Sequence, residues 1–540
     1  MFRSRQTSAL ILFLVFCALP LPTRVVAQQA AAKPKLVVLV AVDQMRADYL
    51  ERYASLYDKG LKRLMSNGAW FKKAAYPYLN TITCAGHSTL GTGTFPYKHG
   101  MVLNQWYDHQ SAKILTCTED SSVKEVSYAN FTGAGDSAKN MQMPTLAELM
   151  HRRPKARVVT MSIKARSAIG LAGHEGDSVV WLDERGAWET SSAYASAPVP
   201  WVSAFIKGNP VTRDAGKVWE RTLPKERYQF SDDGVGEGKP NGWSTTFPHP
   251  LGEAGDVAYV ARWIHSPYSN EYLGDMAEAG IDALHLGKRD AVDFLGISFS
   301  SLDLVGHTFG PRSHEVQDVL VRLDATIGRL LEYLDETVGE GNYVLALSAD
   351  HGVADIPEQV SKGGRQASEV IAAAVEAALK PLLGDKGPFV ASNAYTDLYL
   401  KPEASEKLKK DPNTFNVISA ALLKVSGIAR VLKGDDLAPA AARTSKDPQV
   451  RAAALSYFPG RSGDIIIIPK ENWLLAASVT THGTLYPHDQ RVPVIFYGAG
   501  IRPGAYNDPA TPADIAATLA SIVGVSLPSP DGQVLKSALR

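Results

Sequence analysis

The segment Lys33–Arg46 reads KPKLVVLVAVDQMR, and its central run Leu36–Val42 carries no polar side chain. A strand with one face in water alternates apolar and polar residues. An unbroken apolar run of this length suits a strand covered on both faces, as in a parallel sheet. The run stops at Asp43, and ADYLERYASLYDKGLKRLMSNG (47–68) follows with helical spacing and a glycine stop.

Three later segments repeat this form. RVVTMSI (157–163) leads into Lys164, DFLGISFSSLD (293–303) ends at Asp303, and YVLALSAD (343–350) ends at Asp350. HEVQDVLVRLDATIGRLLEYLDETVG (314–339) has the spacing of a long amphipathic helix. DIIIIPK (464–470) and VPVIFYGAG (492–500) read as further strands, and TPADIAATLASIVG (511–524) as a capped helix. Strands alternating with helices predict an α/β fold, an open and mostly parallel sheet with helices on both faces. Residues 184–275, rich in Trp, Pro, Gly and Tyr without clear periodicity, read as an insertion able to wall or cap a site. Residues 366–460 read as a second inserted subdomain.

The 540-residue chain is 45% apolar and 21% charged, which are ordinary globular values. Its 56 basic residues match 56 acidic ones, which argues against nucleic acid or an anionic membrane as the main partner. At the start, MFRSR is basic, ALILFLVFCALPLP is apolar, and Val25-Val26-Ala27 precedes Gln28. This order predicts a secretory signal peptide over 1–27 and a periplasmic or secreted mature chain, 28–540. The apolar run is shorter than the roughly 20 residues that span a bilayer, so no stable membrane anchor is expected. Cys84 and Cys117 remain in the mature chain, and their spacing does not decide whether they pair.

In open α/β sheets, ligands bind beyond the carboxyl ends of the strands. Asp43, Asp303 and Asp350 each follow an apolar strand and should gather there. One such aspartate alone is more often a turn former or a helix cap. Here, however, His351 follows Asp350, and His307 lies four residues after Asp303, on the same side of a helical turn. His482, in VTTHGTLYPHDQRVPVIF (479–496), comes just ahead of a predicted strand, with His488 a nearby rival. Nitrogen and oxygen donors without a thiolate suit zinc better than calcium. Six ligands exceed one catalytic zinc but suffice for two ions about 4 Å apart, an arrangement that favours phosphoryl transfer. TITCAGHST (81–89) meanwhile offers hydroxyls, a thiol and an imidazole as nucleophile or base. Two further motifs carry less. GVGEGKPNG (234–242) lacks the helix that a phosphate-binding loop needs, and KLKK (407–410) reads as a solvated helix face.

VDQMR, TCAGHSTLGTGTFPYKHGMVLNQWYD, SIKAR, SSLDLVGHTFG, SADHGV and TTHGTLYPHDQRVPVIFYG occur in this order. On these segments, from about residue 35 to about 525, the chain resembles the alkaline phosphatase superfamily and more narrowly its PafA-type alkaline phosphatases. The resemblance implies an alkaline-phosphatase-like fold, two Zn2+ ions, and hydrolysis of small-molecule phosphate monoesters through a phosphothreonine. It makes Thr83 the nucleophile. It gives one zinc to Asp303, His307 and His482, and the other to Asp43, Asp350 and His351, with Thr83 bridging toward the second. Asn104 matches a phosphate-binding asparagine, and Lys164 and Arg166 match a pair that contacts phosphoryl oxygens. His87 and His99, both beside glycine, are expected to brace the nucleophile loop. Cys84 is disfavoured, because sulfatases of this superfamily follow their cysteine with x-Pro-x-Arg and this chain has CAGH. A monomer is expected. The nearest alternatives are a nucleotide pyrophosphatase/phosphodiesterase of the same superfamily and a silenced phosphate-binding homologue.

Overall fold

The computed structural model describes residues 1–2 and 33–540, so the signal peptide expected over 1–27 falls outside the described residues but for its first two. The run that opened the sequence forms the strand Leu36–Val42, every residue of which is buried. It pairs in parallel with Asp293–Phe299 on one side and with Tyr343–Ser348 on the other. Val158–Ser162 and Ser178–Leu182 extend the parallel centre beyond Asp293–Phe299. The two faces of the middle strand explain its lack of polar residues. Val38 and Val40 pack in a cluster with Leu320, Leu323 and Ile327 of the helix His314–Leu334. Val37, Leu39 and Ala41 join Ile515, Leu519 and Val523 of the helix Ala513–Val523 on the opposite face. Each such Val, Leu or Ile side chain contributes about 1.5–3 kcal/mol when removed from water.

The sheet has eleven strands, and both of its flanks turn antiparallel. Val494–Gly498 runs antiparallel to Tyr343–Ser348 and to Ala69–Ala74, and Trp188–Ser191 runs antiparallel to Ser178–Leu182.

Two segments depart from the sequence reading. Residues 47–68 form two helices, Asp48–Arg52 and Gly60–Asn67. The break is stabilised by Asp324 of the long helix, whose carboxylate accepts the backbone N–H groups of Asp58, Lys59, Leu61 and Lys62. These are the donors that a helix start leaves unsatisfied, and local periodicity cannot reveal a cap supplied from another helix.

The strand Ile465–Pro469 belongs to a separate four-stranded antiparallel sheet, beside Ile428–Lys433 and Asp397–Leu400, with Val390–Ala394 beyond. The helices Ser368–Leu383 and Pro412–Leu422 cover that sheet through Ile371, Val375, Ile418 and Leu422. An apolar run identifies a strand without saying which sheet it joins. The tryptophans of the 184–275 region are mainly packing residues. Trp219 and Trp263 are buried in the main core, and their indole N–H groups donate to Asp318 at 2.7 Å and Asp214 at 2.9 Å. No helix among the described residues is long and apolar enough to cross a membrane.

Candidate active site

Three strands end at one edge, and their aspartates meet there. Asp43 directly follows Val42, Asp303 lies in the helix Ser301–Phe309, and Asp350 follows the strand that ends at Ser348. All three are buried. Gln44 connects two of them, its N–H donating to Asp350 Oδ1 at 3.1 Å and its side-chain amide to Asp303 Oδ1 at 2.6 Å. Its φ of 69° lies in the left-handed region, which a non-glycine residue adopts only when its surroundings hold it there. Nothing local in the sequence marks Gln44 for this task.

The Lys164 ammonium sits between Asp43 Oδ2 at 2.6 Å and Asp303 Oδ2 at 2.5 Å. There it balances carboxylate charge. Burial, together with Asp303 and Asp350 nearby, pushes the Asp43 carboxyl well above the usual range. Burial also opposes ionisation of Asp303, but Lys164 and His307 outweigh it and hold that carboxyl well below the usual range. Asp350 is likewise lowered against burial by His351 and His87. One ammonium facing three buried carboxylates leaves negative charge that further cations would balance.

The histidines share one device. His307, His351 and His482 each turn Nδ1 to a backbone carbonyl, those of Thr480 at 3.0 Å, Gly352 at 2.9 Å and Thr81 at 2.8 Å. With Nδ1–H donated in this way, each Nε2 keeps the lone pair that a metal ligand needs. His307 Nε2 lies 3.2 Å from Asp303 Oδ1, and His351 Nε2 lies 3.3 Å from Asp350 Oδ2 and 3.5 Å from Asp43 Oδ1. His482 Nε2 is 3.9 Å from Asp303 Oδ1, and its ring stacks on that of His351 with centroids 3.4 Å apart.

Ligand atoms of Asp43, Asp350 and His351 lie within 4.8 Å of one another, as do those of Asp303, His351 and His482. His351 thus borders both groups, and His307 joins the second through Asp303. Asp43 Oδ1 and Asp350 Oδ2 are buried without a hydrogen-bond partner. Orphaned carboxylate oxygens beside oriented imidazoles fit divalent cations, and the donor types fit zinc. His488 takes no part; its nearest carboxylate is Asp489, at 3.7 Å.

Thr83 is the first residue of the helix Thr83–Thr92, after an extended Ile82. Its hydroxyl lies 3.4 Å from His351 Nε2. Gly86 allows this closeness, because a Cβ there would collide with the backbone of Asp350. His87 braces the same turn, with Nδ1 3.0 Å from the Thr83 carbonyl and 3.2 Å from Asp350 Oδ2, and Nε2 2.8 Å from Ser298 Oγ. His99 sits farther along, bonded to Thr89 Oγ1 at 3.1 Å, and burial pushes its imidazole down to about 3.

Cys84 and Cys117 form a disulfide, so neither offers a thiol. Asn104 is fixed between them. Its side-chain oxygen accepts the Cys84 N–H at 3.0 Å and its backbone carbonyl accepts the Cys117 N–H at 2.9 Å. Its amide nitrogen donates to the Tyr395 hydroxyl at 3.3 Å. Tyr395 comes from the turn between two strands of the smaller sheet and was not singled out by sequence. Arg166 is the second residue of the helix Ala165–Ala172, and its Nε is buried without a hydrogen-bond partner.

With sheet, carboxylates, imidazoles and threonine in this arrangement, the fold is that of an alkaline-phosphatase-like hydrolase. The chain belongs to the type I phosphodiesterase / nucleotide pyrophosphatase family, whose profile matches residues 37–490. Within it, the chain is similar to alkaline phosphatase PafA of Elizabethkingia meningoseptica, 33% identical over 93% of each chain. It is also similar to alkaline phosphatase PhoV of Synechococcus elongatus, 31% identical over 95% of this chain and 94% of that one. The crystal structure of wild-type PafA matches with a TM-score of 0.87 at 31% identity, covering 95% of this chain and all of the other. The protein is accordingly a hydrolase of the PafA type.

Proposed function

We propose that this protein is an exported phosphomonoesterase that transfers the phosphoryl group of small esters to Thr83 and then to water. The observation that carries this reading is the buried set of converging carboxylates and imidazoles beside a threonine hydroxyl at a helix start. Asp303, His307 and His482 would hold one zinc, and Asp43, Asp350 and His351 the other. Zinc bound by these residues supplies Lewis acidity toward the phosphoryl and ester oxygens.

The remaining chemistry belongs to the chain. Thr83 Oγ1 attacks phosphorus as the bond to the ester oxygen breaks, giving phosphothreonine and an alcohol once the leaving oxygen takes a proton. Water then attacks the phosphothreonine, releasing inorganic phosphate and restoring the hydroxyl. The positive end of the helix Thr83–Thr92 favours both the threonine oxyanion and the incoming phosphate. Asn104, held by Cys84 and Cys117, presents its amide to a phosphoryl oxygen. Arg166 pairs with nonbridging oxygens, where a monoester carries charge that a diester lacks. Lys164 would pair with the same oxygens, since zinc held by Asp43 and Asp303 would balance the carboxylate charge that its ammonium now meets. The Cys84–Cys117 disulfide agrees with an oxidising compartment and so with export.

Hydrolysis of p-nitrophenyl phosphate against bis-p-nitrophenyl phosphate, together with metal content by elemental analysis, tests the reading. A marked monoester preference in zinc-containing protein is expected. A diester preference would favour a nucleotide pyrophosphatase/phosphodiesterase, and metal without turnover of either ester a silenced binder.

A further inference from the structure

A cavity of about 280 Å3 opens directly beside the site. It shares His482 and Tyr395 with the site and is otherwise walled by Trp473, Leu475, Ala476 and Asn393 among others. That volume lies at the low end for small-ligand pockets, enough for a compact organic group. No Asp, Glu, Lys or Arg lines it. The cavity at Arg213, Lys217, Glu271, Asp275 and Arg322 is charged throughout by contrast.

Its aromatic wall is held in place from behind. Trp473 lies in the two-residue strand Trp473–Leu474, paired with Gly364–Arg365. Added Cβ atoms on Gly364 and Gly427 would both strike its indole, so the ring is seated against two stretches of bare backbone. Trp473 and Tyr395 are each half-buried, so both rings keep some surface toward the cavity they line. A ring fixed in advance binds a flat partner without ordering cost.

The site itself limits where an organic group can go. Thr83, Asp350 and His351 are fully buried and close the inner end. His482 and Tyr395 lie on both the site and the cavity, so an ester whose phosphorus faces Thr83 has room to place its organic group there. We propose that this cavity is a subsite for the flat, uncharged organic group of the ester, so that aryl phosphates are favoured over esters whose organic part is itself anionic. The inference rests on the phosphomonoesterase reading above and adds its substrate class.

The experiment compares kcat/KM on phenyl phosphate, methyl phosphate and phosphoglycolate for the wild type, Trp473→Ala and Ala476→Arg. Taking each variant relative to wild type on the same ester cancels intrinsic reactivity. Trp473→Ala is expected to lose about tenfold more on phenyl phosphate than on methyl phosphate, mostly through KM, the scale of a lost apolar pocket contact. Ala476→Arg is expected to shift preference from phenyl phosphate toward phosphoglycolate. Equal losses on phenyl and methyl phosphate in Trp473→Ala, or an unchanged preference in Ala476→Arg, overturn the subsite. Should Trp473→Ala fail to fold, competitive inhibition of the wild type by phenylphosphonate and methylphosphonate answers the same question, and equal inhibition overturns it. Wild-type protein that hydrolyses none of the three esters refutes the phosphomonoesterase reading instead.

Discussion

The two walls of the site are built from opposite chemistry. The wall at the edge of the main sheet supplies every carboxylate, the threonine, Lys164 and Arg166, on strand ends and helix starts that the core fixes. The wall from the smaller sheet and the chain after it supplies Tyr395, Trp473 and apolar or uncharged polar neighbours such as Leu475 and Asn393, with no Asp, Glu, Lys or Arg lining the cavity. His482, just beyond the smaller sheet, belongs to both walls, and Tyr395 reaches across through its bond from Asn104. The difference separates two demands. Bond making needs charge held in a rigid, dry place, whereas choosing an ester needs shape without charge.

Substitutions on the charged wall should therefore act through the phosphoryl group and its charge, and those on the neutral wall should sort esters by their organic group. The largest effect is expected for Thr83→Ala, with kcat reduced by about 10^3-fold or more and metal content retained, read by turnover and elemental analysis. Substantial turnover in that variant would break the comparison at its main point. Next comes the disulfide. Cys84→Ala with Cys117→Ala is expected to cost about 3 kcal/mol of unfolding free energy in a denaturant titration while keeping most activity. Activity lost in step with the sulfur atoms would move chemistry onto Cys84.

Lys164→Ala combined with Arg166→Ala is expected to lower monoester kcat/KM about a hundredfold more than diester kcat/KM, the scale of two charge-assisted hydrogen bonds. Equal losses would remove the proposed reason for monoester preference. The smallest effect concerns Asp397 of the smaller sheet. Burial pushes its carboxyl up to about 6, despite bonds from Gly463, Asn80 and Thr396. A carboxyl raised above its unfolded value favours the fold when protonated, so its contribution to stability grows as pH falls from above 6 toward 4. Asp397→Asn should flatten the pH dependence of Tm across that window relative to wild type, and unchanged slopes would count against the shift.

The charged wall was the more legible of the two in sequence. Strand ends of a parallel sheet share an edge, so Asp43, Asp303 and Asp350 could be grouped from local pattern alone. His307 followed from helical spacing, whereas only the family resemblance singled out Thr83 among the hydroxyls, thiol and imidazole of its segment. What stayed hidden depends on contacts between distant segments. Gln44 acts through an unusual φ, the Lys164 ammonium lies between Asp43 and Asp303 from two distant segments, and Asp324 caps a helix more than 260 residues earlier in the chain. Tyr395 and Trp473 meet the site only because the smaller sheet docks there, and the run Ile465–Pro469 gave no sign of which sheet it would join.

The carbonyls that aim His307 and His482 belong to Thr480 and Thr81, and every amino acid carries a carbonyl. The direction of these two imidazoles is thus written in the path of the main chain, which the buried Thr480 and Thr81 hydroxyls help to hold by donating to the carbonyls of Ala354 at 2.6 Å and Thr484 at 2.9 Å. Position 352 is the exception: its carbonyl aims His351, but a Cβ there would strike the His488 carbonyl, so glycine alone fits. Ring aim at this site rests on main chain tied down by threonine hydroxyls in two places and on a single permitted residue in the third.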